Sequence, residues 1–167
     1  MLIFIEGVDG SGKSTLCKKL TDMGAKQAII PRGSERQFDS YMDLAYEDKY
    51  EKGDIIFDRC FITDLVYRLQ DDGPADKMDL IQMCTILQFG YCKIIHCVSS
   101  TAFEDSIVRG EDNITDKNKS AEIAYLYDKI ITMFEKYLNV PVMRYNWKYN
   151  NIDDVINFIK GGEKFGV

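Results

Sequence analysis

The sequence lacks three features that would each point to a class of protein: an excess of positive charge, a metal-binding pattern and a long apolar run. Its 167 residues carry a net charge of −6 at pH 7. Phosphate backbones are held mainly by clustered Lys and Arg, so this balance argues against a free-standing nucleic-acid binder. Five cysteines and one histidine form neither a CxxC pair nor the spacing of a zinc site, which favours reduced thiols. No segment approaches the roughly 18 to 20 continuous apolar residues of a membrane-spanning helix.

The amino terminus also lacks the features of a secretory leader. Residues 1–5 are apolar, but no basic segment precedes them and no small-residue cleavage site follows. Together with the reduced thiols, this predicts a soluble cytoplasmic protein that does not associate with membranes. A hydrophobic fraction of 46% in a chain of this length is enough for one core, so we expect a single domain over residues 1–167.

Short apolar runs alternate with longer amphipathic stretches, which is typical of a parallel sheet with helices on both faces. We predict five strands, at residues 2–5, 26–30, 54–57, 93–98 and 140–145. We predict helices at residues 14–23, 38–53, 62–69, 75–89, 101–109, 120–138 and 152–159. The spacing of Ser34 and Gln37 is that of a capping box at the start of the second helix.

The strongest pattern is GVDGSGKS at residues 7–14, a full match to G-x-x-x-x-G-K-[ST] between a strand and a helix. In such a loop the glycines let backbone N–H groups point at phosphate oxygens, and the helix N-terminus adds partial positive charge. Lys13 is expected to neutralise β and γ oxygens, and the Ser14 hydroxyl to ligate Mg²⁺. The predicted nucleotide-binding set is Gly7, Asp9, Gly10, Ser11, Gly12, Lys13, Ser14 and Thr15.

The longer segment FIEGVDGSGKST at residues 4–15 resembles the thymidylate kinase and deoxynucleoside kinase group of P-loop enzymes. The resemblance implies a three-layer P-loop NTPase fold and transfer of the γ-phosphoryl group of ATP, with Mg²⁺, to a nucleotide-like acceptor. In that family the acidic residue at the position of Asp9 contacts the acceptor sugar. Asp9 is therefore a candidate acceptor-binding residue, and a simple turn-favouring aspartate is the alternative.

A second match is IIFDR at residues 55–59, an apolar strand that ends in Asp-Arg and resembles the DR motif of the same family. Ligands in open α/β sheets gather at the carboxyl ends of strands, so Asp58 and Arg59 are expected to face the phosphate loop. The resemblance implies that Asp58 holds the magnesium shell and that Arg59 bridges donor and acceptor phosphates. The alternative is a solvated ion pair at a strand end, which contributes little.

Residues 93–118 resemble the strand, helix and lid of these kinases, with the lid at about residues 109–118. Lids of the family often place arginines on the transferring phosphate, which makes Arg109 a catalytic candidate; its alternative is an ordinary cation at a helix C-terminus. His96 lies inside an apolar strand and is predicted to be a core residue. Trp147 and Tyr149 follow the last strand, in the loop that lies beside adenine in similar enzymes, where they either stack on a base or pack.

The acceptor side departs from the family. Fewer residues separate Lys13 from Asp58 than in thymidylate kinases, and Arg32 either binds an acceptor phosphate or is a surface cation. Tyr67 and Arg68 stand where thymidylate enzymes have an aromatic residue and a glutamine, so they are acceptor-binding candidates for a base other than thymine.

The short segment between Lys13 and Asp58 suits a kinase whose acceptor is a free deoxynucleoside monophosphate similar to dTMP, or a deoxynucleoside. It also suits a hydroxymethylated pyrimidine within DNA, of the 5-hydroxymethyluracil type. Small viral kinases that resemble this group phosphorylate such bases, so DNA is the alternative acceptor and phage DNA metabolism the setting that the resemblance implies. A non-catalytic nucleotide switch is a minor alternative, because no DxxG follows Asp58 and no NKxD signature occurs.

The sequence alone assigns neither a general base nor an oligomeric state. Glu6, Asp58 and Glu35 are the candidates for a general base, although a loose transition state asks little of one. Aromatic residues from Tyr41 to Tyr50 suit either the core or a dimer face, so both a monomer and a homodimer are compatible with the sequence.

Overall fold

The apolar runs of the sequence form the strands of one sheet. The structure is a computed structural model and describes residues 1–31, 36–51, 53–71, 80–89, 92–110 and 116–161. The strands are β1 (Leu2–Glu6), β2 (Lys26–Ala28), β3 (Ile55–Asp58), β4 (Cys92–Cys97) and β5 (Val142–Tyr145). The helices are α1 (Lys13–Asp22), α2 (Gln37–Glu51), α3 (Phe61–Asp71), α4 (Leu80–Phe89), α5 (Ala102–Val108), α6 (Lys117–Leu138) and α7 (Ile152–Lys160).

The strand order is β2-β3-β1-β4-β5 and every pairing is parallel. The chain builds one side of the sheet through β2 and β3, and then crosses to the other side of β1 to add β4 and β5. This reversal places a crevice at the carboxyl ends of β3, β1 and β4, where open α/β sheets bind ligands. The edge strand β2 has no buried residue, in keeping with its one neighbour.

The sheet is covered on both faces. On one face Leu2, Phe4 and Ile94 pack with α2, α3, α4 and α6, and on the other Ile3 and Ile5 pack with α1 and α7. Period-two side-chain alternation along buried parallel strands produces these two cores. The predicted fold class, a five-stranded parallel sheet with helices on both faces, is confirmed.

Four aromatic rings fix α2 and α3 to the sheet below the crevice. Tyr41 of α2 lies 5.3 Å from Phe57 and 5.3 Å from Phe61, centroid to centroid, and Phe4 lies 5.2 Å from Phe57. Tyr41 is 1% exposed and is therefore a core residue, whereas Tyr46 is 59% exposed. The side chain of Tyr50 lies outside the described residues, as does the predicted capping residue Ser34.

Some boundaries differ from the predicted ones for local reasons. Helix α6 begins at Lys117 because Asp116 accepts a hydrogen bond from the Asn118 N–H (2.8 Å), so two residues predicted for the lid are helical. Strand β5 begins at Val142, after Pro141, which has no N–H for the ladder.

Within the described ranges no helix is both long enough and apolar enough to cross a membrane.

Candidate active site

The segment from Gly7 to Ser14 forms a tight loop between β1 and α1. Gly7, Gly10 and Gly12 have φ values of 144°, 79° and 93°, which L residues rarely adopt. The Ser11 N–H donates to the Val8 carbonyl (3.2 Å) and closes the turn. The loop wraps above the carboxyl end of the central strand, as the sequence pattern requires of a phosphate loop.

Neighbouring segments pack directly against all three glycines, and the contacts of Gly10 and Gly12 show what lies on either side of the loop. A Cβ on Gly10 would stand 1.9 Å from the Ala102 carbonyl oxygen, and one on Gly12 would stand 3.1 Å from Cδ1 of Trp147. The loop is therefore enclosed between the start of α5 and the segment after β5.

Gly10→Ala is expected to destabilise the protein through both strain and collision. A left-handed alanine costs about 1 to 2 kcal/mol, and the collision with the Ala102 backbone adds about 1 to 3 kcal/mol. Gly24→Ala is the matched control, because Gly24 has φ 101° but a Cβ added there would meet nothing within 4 Å. Urea titrations should show the larger loss for Gly10→Ala; equal losses would mean that packing against Ala102 contributes nothing.

Helix α1 begins at Lys13 and no side chain caps it at Gly12. Lys13 is 4% exposed, and its Nζ donates to the Val8 carbonyl (2.8 Å) and lies 3.9 Å from Asp9 Oδ1. Burial, together with the nearby charge of Arg59, lowers the pKa of Lys13 from its ordinary value. An anion in the loop would offset both effects, so the geometry favours phosphate binding.

Asp58 ends β3, and Arg59 follows it, beside this loop. The Arg59 N–H donates to the Ile5 carbonyl (3.1 Å), and its φ of 72° is left-handed, which costs about 1 to 3 kcal/mol for a residue other than glycine. The Arg59 guanidinium forms an ion pair with Asp9. Burial opposes the charge of Arg59, but Asp9 and the other groups around the guanidinium together outweigh it, so the Arg59 pKa is raised. Strain of this kind is typical of functional sites.

The loop, the strand end and the end of α5 enclose one cavity of about 110 Å³. Its lining residues are Asp9, Gly10, Gly12, Lys13, Ser14, Arg59 and Arg109. Three predicted catalytic cations, Lys13, Arg59 and Arg109, thus meet around one small space. Arg109 reaches it as the C-cap residue of α5.

Three polar atoms near this space have no hydrogen-bond partner among the described residues. They are Asp9 Oδ2, Ser11 Oγ and Asp58 Oδ1, all buried. Buried polar atoms are normally satisfied, so these atoms fit a site completed by a polar ligand. Within the described ranges, no three His, Cys, Asp or Glu side chains cluster to hold a metal by themselves. The Ser14 side chain lines the cavity, and the Asp58 Oδ1 atom is buried without a partner. Both supply the oxygen ligands that Mg²⁺ prefers, so these residues fit an ion that phosphate oxygens would help to bind.

The remaining predicted residues lie apart from this cavity or outside the described residues. Thr15 is exposed on α1, and Tyr67 and Arg68 are half-buried on α3. Tyr67 packs against the core and is close enough to Arg59 to help raise the Arg59 pKa. Neither Arg32 nor Glu35 is among the described residues.

The end of β1 also buries Glu6, for which the sequence suggested only the role of a general base. Glu6 is 0% exposed and accepts hydrogen bonds from the Cys60 N–H (2.7 Å) and the Thr63 hydroxyl (2.6 Å). Burial raises the Glu6 pKa above its ordinary value. The sequence feature that could have indicated this buried role is the position of Glu6, a charged residue at the end of an otherwise apolar strand. His96, one strand away, is 3% exposed, and burial lowers its pKa to about 4, so it is a neutral core residue.

The loop after β5 contacts the phosphate loop through Trp147, for which the sequence left both stacking on a base and packing open. Trp147 is 43% exposed beside Gly12, and Lys148 Nζ donates to the Thr101 hydroxyl (2.6 Å), tying this loop to the start of α5. Trp147 therefore both packs on the loop and keeps part of its ring accessible. Tyr149 is 83% exposed.

Neither a protein-family model nor a curated protein sequence matches the chain. Among solved structures, it resembles the YorR protein from Bacillus subtilis in complex with phosphorylated GDP, with a TM-score of 0.73, 20% identity and 100% coverage of both chains. It also resembles deoxyadenosine kinase from M. mycoides. The form with bound dCTP has a TM-score of 0.61 and 18% identity, and the match covers 99% of this chain and 100% of that one. The form with the products dCMP and dCDP has a TM-score of 0.58 and 20% identity over 98% of both chains. The chain has the fold of P-loop nucleotide kinases.

Proposed function

We propose that the chain is a P-loop kinase that transfers the γ-phosphoryl group of ATP to a deoxynucleoside or a deoxynucleoside monophosphate. The observation that carries this proposal is the cavity in which Lys13, Arg59 and Arg109 meet beside the phosphate loop. Phosphoryl transfer needs fixed positive charge where negative charge develops, and very little covalent chemistry from the protein. The choice of acceptor is supported by the deoxynucleotides bound in the deoxyadenosine kinase structures.

The donor phosphates are held by the loop backbone, the start of α1 and the Lys13 amine. In this proposal Lys13 exchanges its bond to the Val8 carbonyl for phosphate oxygens. Ser14 and Asp58 hold Mg²⁺, which supplies further neutralisation of phosphate charge.

Arg59 and Arg109 line the same cavity and stabilise the transferred group there. Arg59 follows β3 directly, and its side chain is 33% exposed. Its present partner Asp9 is a carboxylate that phosphate oxygens can replace. A guanidinium fits this role because its planar donors bind phosphate oxygens in pairs. Arg109 acts from the start of the predicted lid.

The two ends of the site bind donor base and acceptor. The exposed part of the Trp147 ring offers a stacking surface for the donor base beside Gly12. Asp9, when released from Arg59, can accept a hydrogen bond from the acceptor sugar. The buried Glu6 carboxylate is already engaged by two donors, so we assign no general base.

The test is phosphate transfer from radiolabelled ATP to a panel of deoxynucleosides, their monophosphates, and duplex DNA with ordinary or hydroxymethylated pyrimidines. Lys13→Ala protein, purified in parallel, controls for contaminating kinases. Label on one free nucleoside or monophosphate is the expected result and identifies its base.

The other outcomes each contradict the proposal in a distinct way. Label retained on DNA would make the protein a DNA-modifying kinase. Binding of ATP without transfer to any acceptor would make it a nucleotide-binding module or switch.

A further inference from the structure

The Glu6 carboxylate lies at the centre of a buried polar chain below the candidate site. It accepts from the Cys60 N–H and from the Thr63 hydroxyl, and the Thr63 oxygen lies 2.7 Å from the Tyr127 hydroxyl of α6. Glu6 and Thr63 are 0% exposed, and so is Tyr127. A chain in which the Tyr127 hydroxyl donates to Thr63, and Thr63 donates to Glu6, satisfies each group.

This hydrogen-bonded chain of side chains binds the backbone at Cys60, the residue after Arg59. The Arg59 N–H donates to the Ile5 carbonyl (3.1 Å), and the next N–H, that of Cys60, donates to Glu6 Oε1 (2.7 Å). Both amides that flank the Arg59 Cα are therefore bonded to the last two residues of β1. A left-handed arginine persists only where its surroundings fix it, and these two bonds do so.

The same two residues of β1 lead directly into the phosphate loop at Gly7. The Arg59 guanidinium points to Asp9 of that loop and lines its cavity. We propose that Glu6 is a positioning residue, whose carboxylate fixes the left-handed Arg59 backbone and so keeps the guanidinium over the phosphate loop. This inference rests on the proposed function, in which Arg59 contacts the transferred phosphoryl group.

Glu6→Met tests this role, because methionine fills the volume but accepts no comparable hydrogen bond from Cys60. We expect kcat to fall about 30-fold through misplacement of Arg59. The affinity for ATP should change less than about 3-fold, because Lys13 and the loop remain. The protein has one tryptophan, and Trp147 packs on Gly12, so its fluorescence reports ATP binding without any acceptor.

Glu6→Gln separates positioning from proton transfer. The glutamine oxygen can still accept from the Cys60 N–H, so we expect this variant to retain kcat within about 5-fold of wild type, well above Glu6→Met. If Glu6 were a general base, glutamine would be as damaging as methionine, and the inference would be overturned.

A double-mutant cycle separates positioning from a merely structural role. In an Arg59→Ala background there is no guanidinium to place, so Glu6→Met should cost less than about 2-fold in kcat. The same 30-fold loss in both backgrounds would show that Glu6 acts without Arg59. If Glu6→Met fails to fold, Thr63→Val replaces it; a loss of about 5-fold is expected, and it should vanish in the Arg59→Ala background.

A crystal structure of Thr63→Val or Glu6→Met distinguishes failure of this inference from failure of the proposed function. We expect Arg59 to leave the left-handed region or to lose Asp9. An unchanged Arg59 would overturn the inference even if wild-type protein is an active kinase, and a displaced Arg59 would support it even if no acceptor is phosphorylated.

Discussion

Lys13→Ala is expected to reduce phosphoryl transfer by at least about 100-fold while the protein still folds. The Lys13 amine is one of three cations around the cavity, and it donates to the Val8 carbonyl of the loop. In the proposed mechanism, its removal deletes a charge contact that strengthens as the phosphoryl group moves. Alanine is the best helix former, so the first turn of α1 should remain. The measurement is kcat/KM for ATP with the acceptor found in the panel.

The fold should change little in this variant. One buried hydrogen bond, from Lys13 Nζ to the Val8 carbonyl, is lost, and a bond of this kind contributes about 1 kcal/mol. Lys18→Ala is the matched control, because Lys18 is exposed on the same helix. Full transfer by Lys13→Ala would rule out the phosphate-loop mechanism, and equal loss in Lys18→Ala would show that the helix itself had been disturbed.

The phosphate loop was predictable because its chemistry depends on neighbours in sequence. Three glycines and a lysine at fixed spacing determine the turn, and the strand before it and the helix after it follow from apolar periodicity. The order of the strands is harder to read, because it depends on which long-range pairs form. Here the alternation of apolar runs and amphipathic stretches predicted a parallel sheet with helices on both faces, and the resemblance implied the P-loop NTPase fold. The structure confirms this fold class.

The contacts that join segments distant in sequence were not predictable. Nothing local to Asp58 and Arg59 indicates a left-handed arginine, because that conformation depends on bonds to Ile5 and Glu6, more than 50 residues earlier. The packing of Trp147 on Gly12 likewise depends on how two loops meet across the sheet. The sequence motifs indicate that Arg59 and Trp147 lie near the phosphate loop, but only the tertiary structure gives their geometry.

Glu6 shows how one residue type can suggest the wrong chemistry. A carboxylate beside a phosphate loop is a reasonable candidate for a general base. Its complete burial and its two hydrogen-bond donors, the Cys60 N–H and the Thr63 hydroxyl, instead describe a structural acceptor. Burial raises its pKa, and hydrogen bonding to Cys60 and Thr63 opposes that shift. These opposing effects come from the fold, and so the sequence alone could not weigh them.

Arg59→Ala is expected to reduce transfer by about 1,000-fold, the lower range for an arginine that stabilises a transferring phosphoryl group. Arg59→Lys should recover little of this loss, because an ammonium group lacks the planar pair of donors. Arg144→Ala is the matched control: its side chain is 34% exposed, against 33% for Arg59, and it too pairs with a carboxylate, that of Glu135, away from the cavity. Comparable losses of transfer in Arg144→Ala would contradict a specific role for Arg59.

A comparison of Arg59→Gly with Arg59→Ala separates the function of the Arg59 side chain from the strain of its backbone. Glycine adopts φ 72° without penalty, whereas alanine there costs about 1 to 2 kcal/mol. Both variants leave Asp9 without its guanidinium partner, so that loss cancels in the comparison. We therefore expect Arg59→Gly to be more stable than Arg59→Ala by about 1 kcal/mol and equally inactive. Equal stability in urea titrations would show that position 59 carries no strain, and that an arginine occupies it without the conformational cost described above.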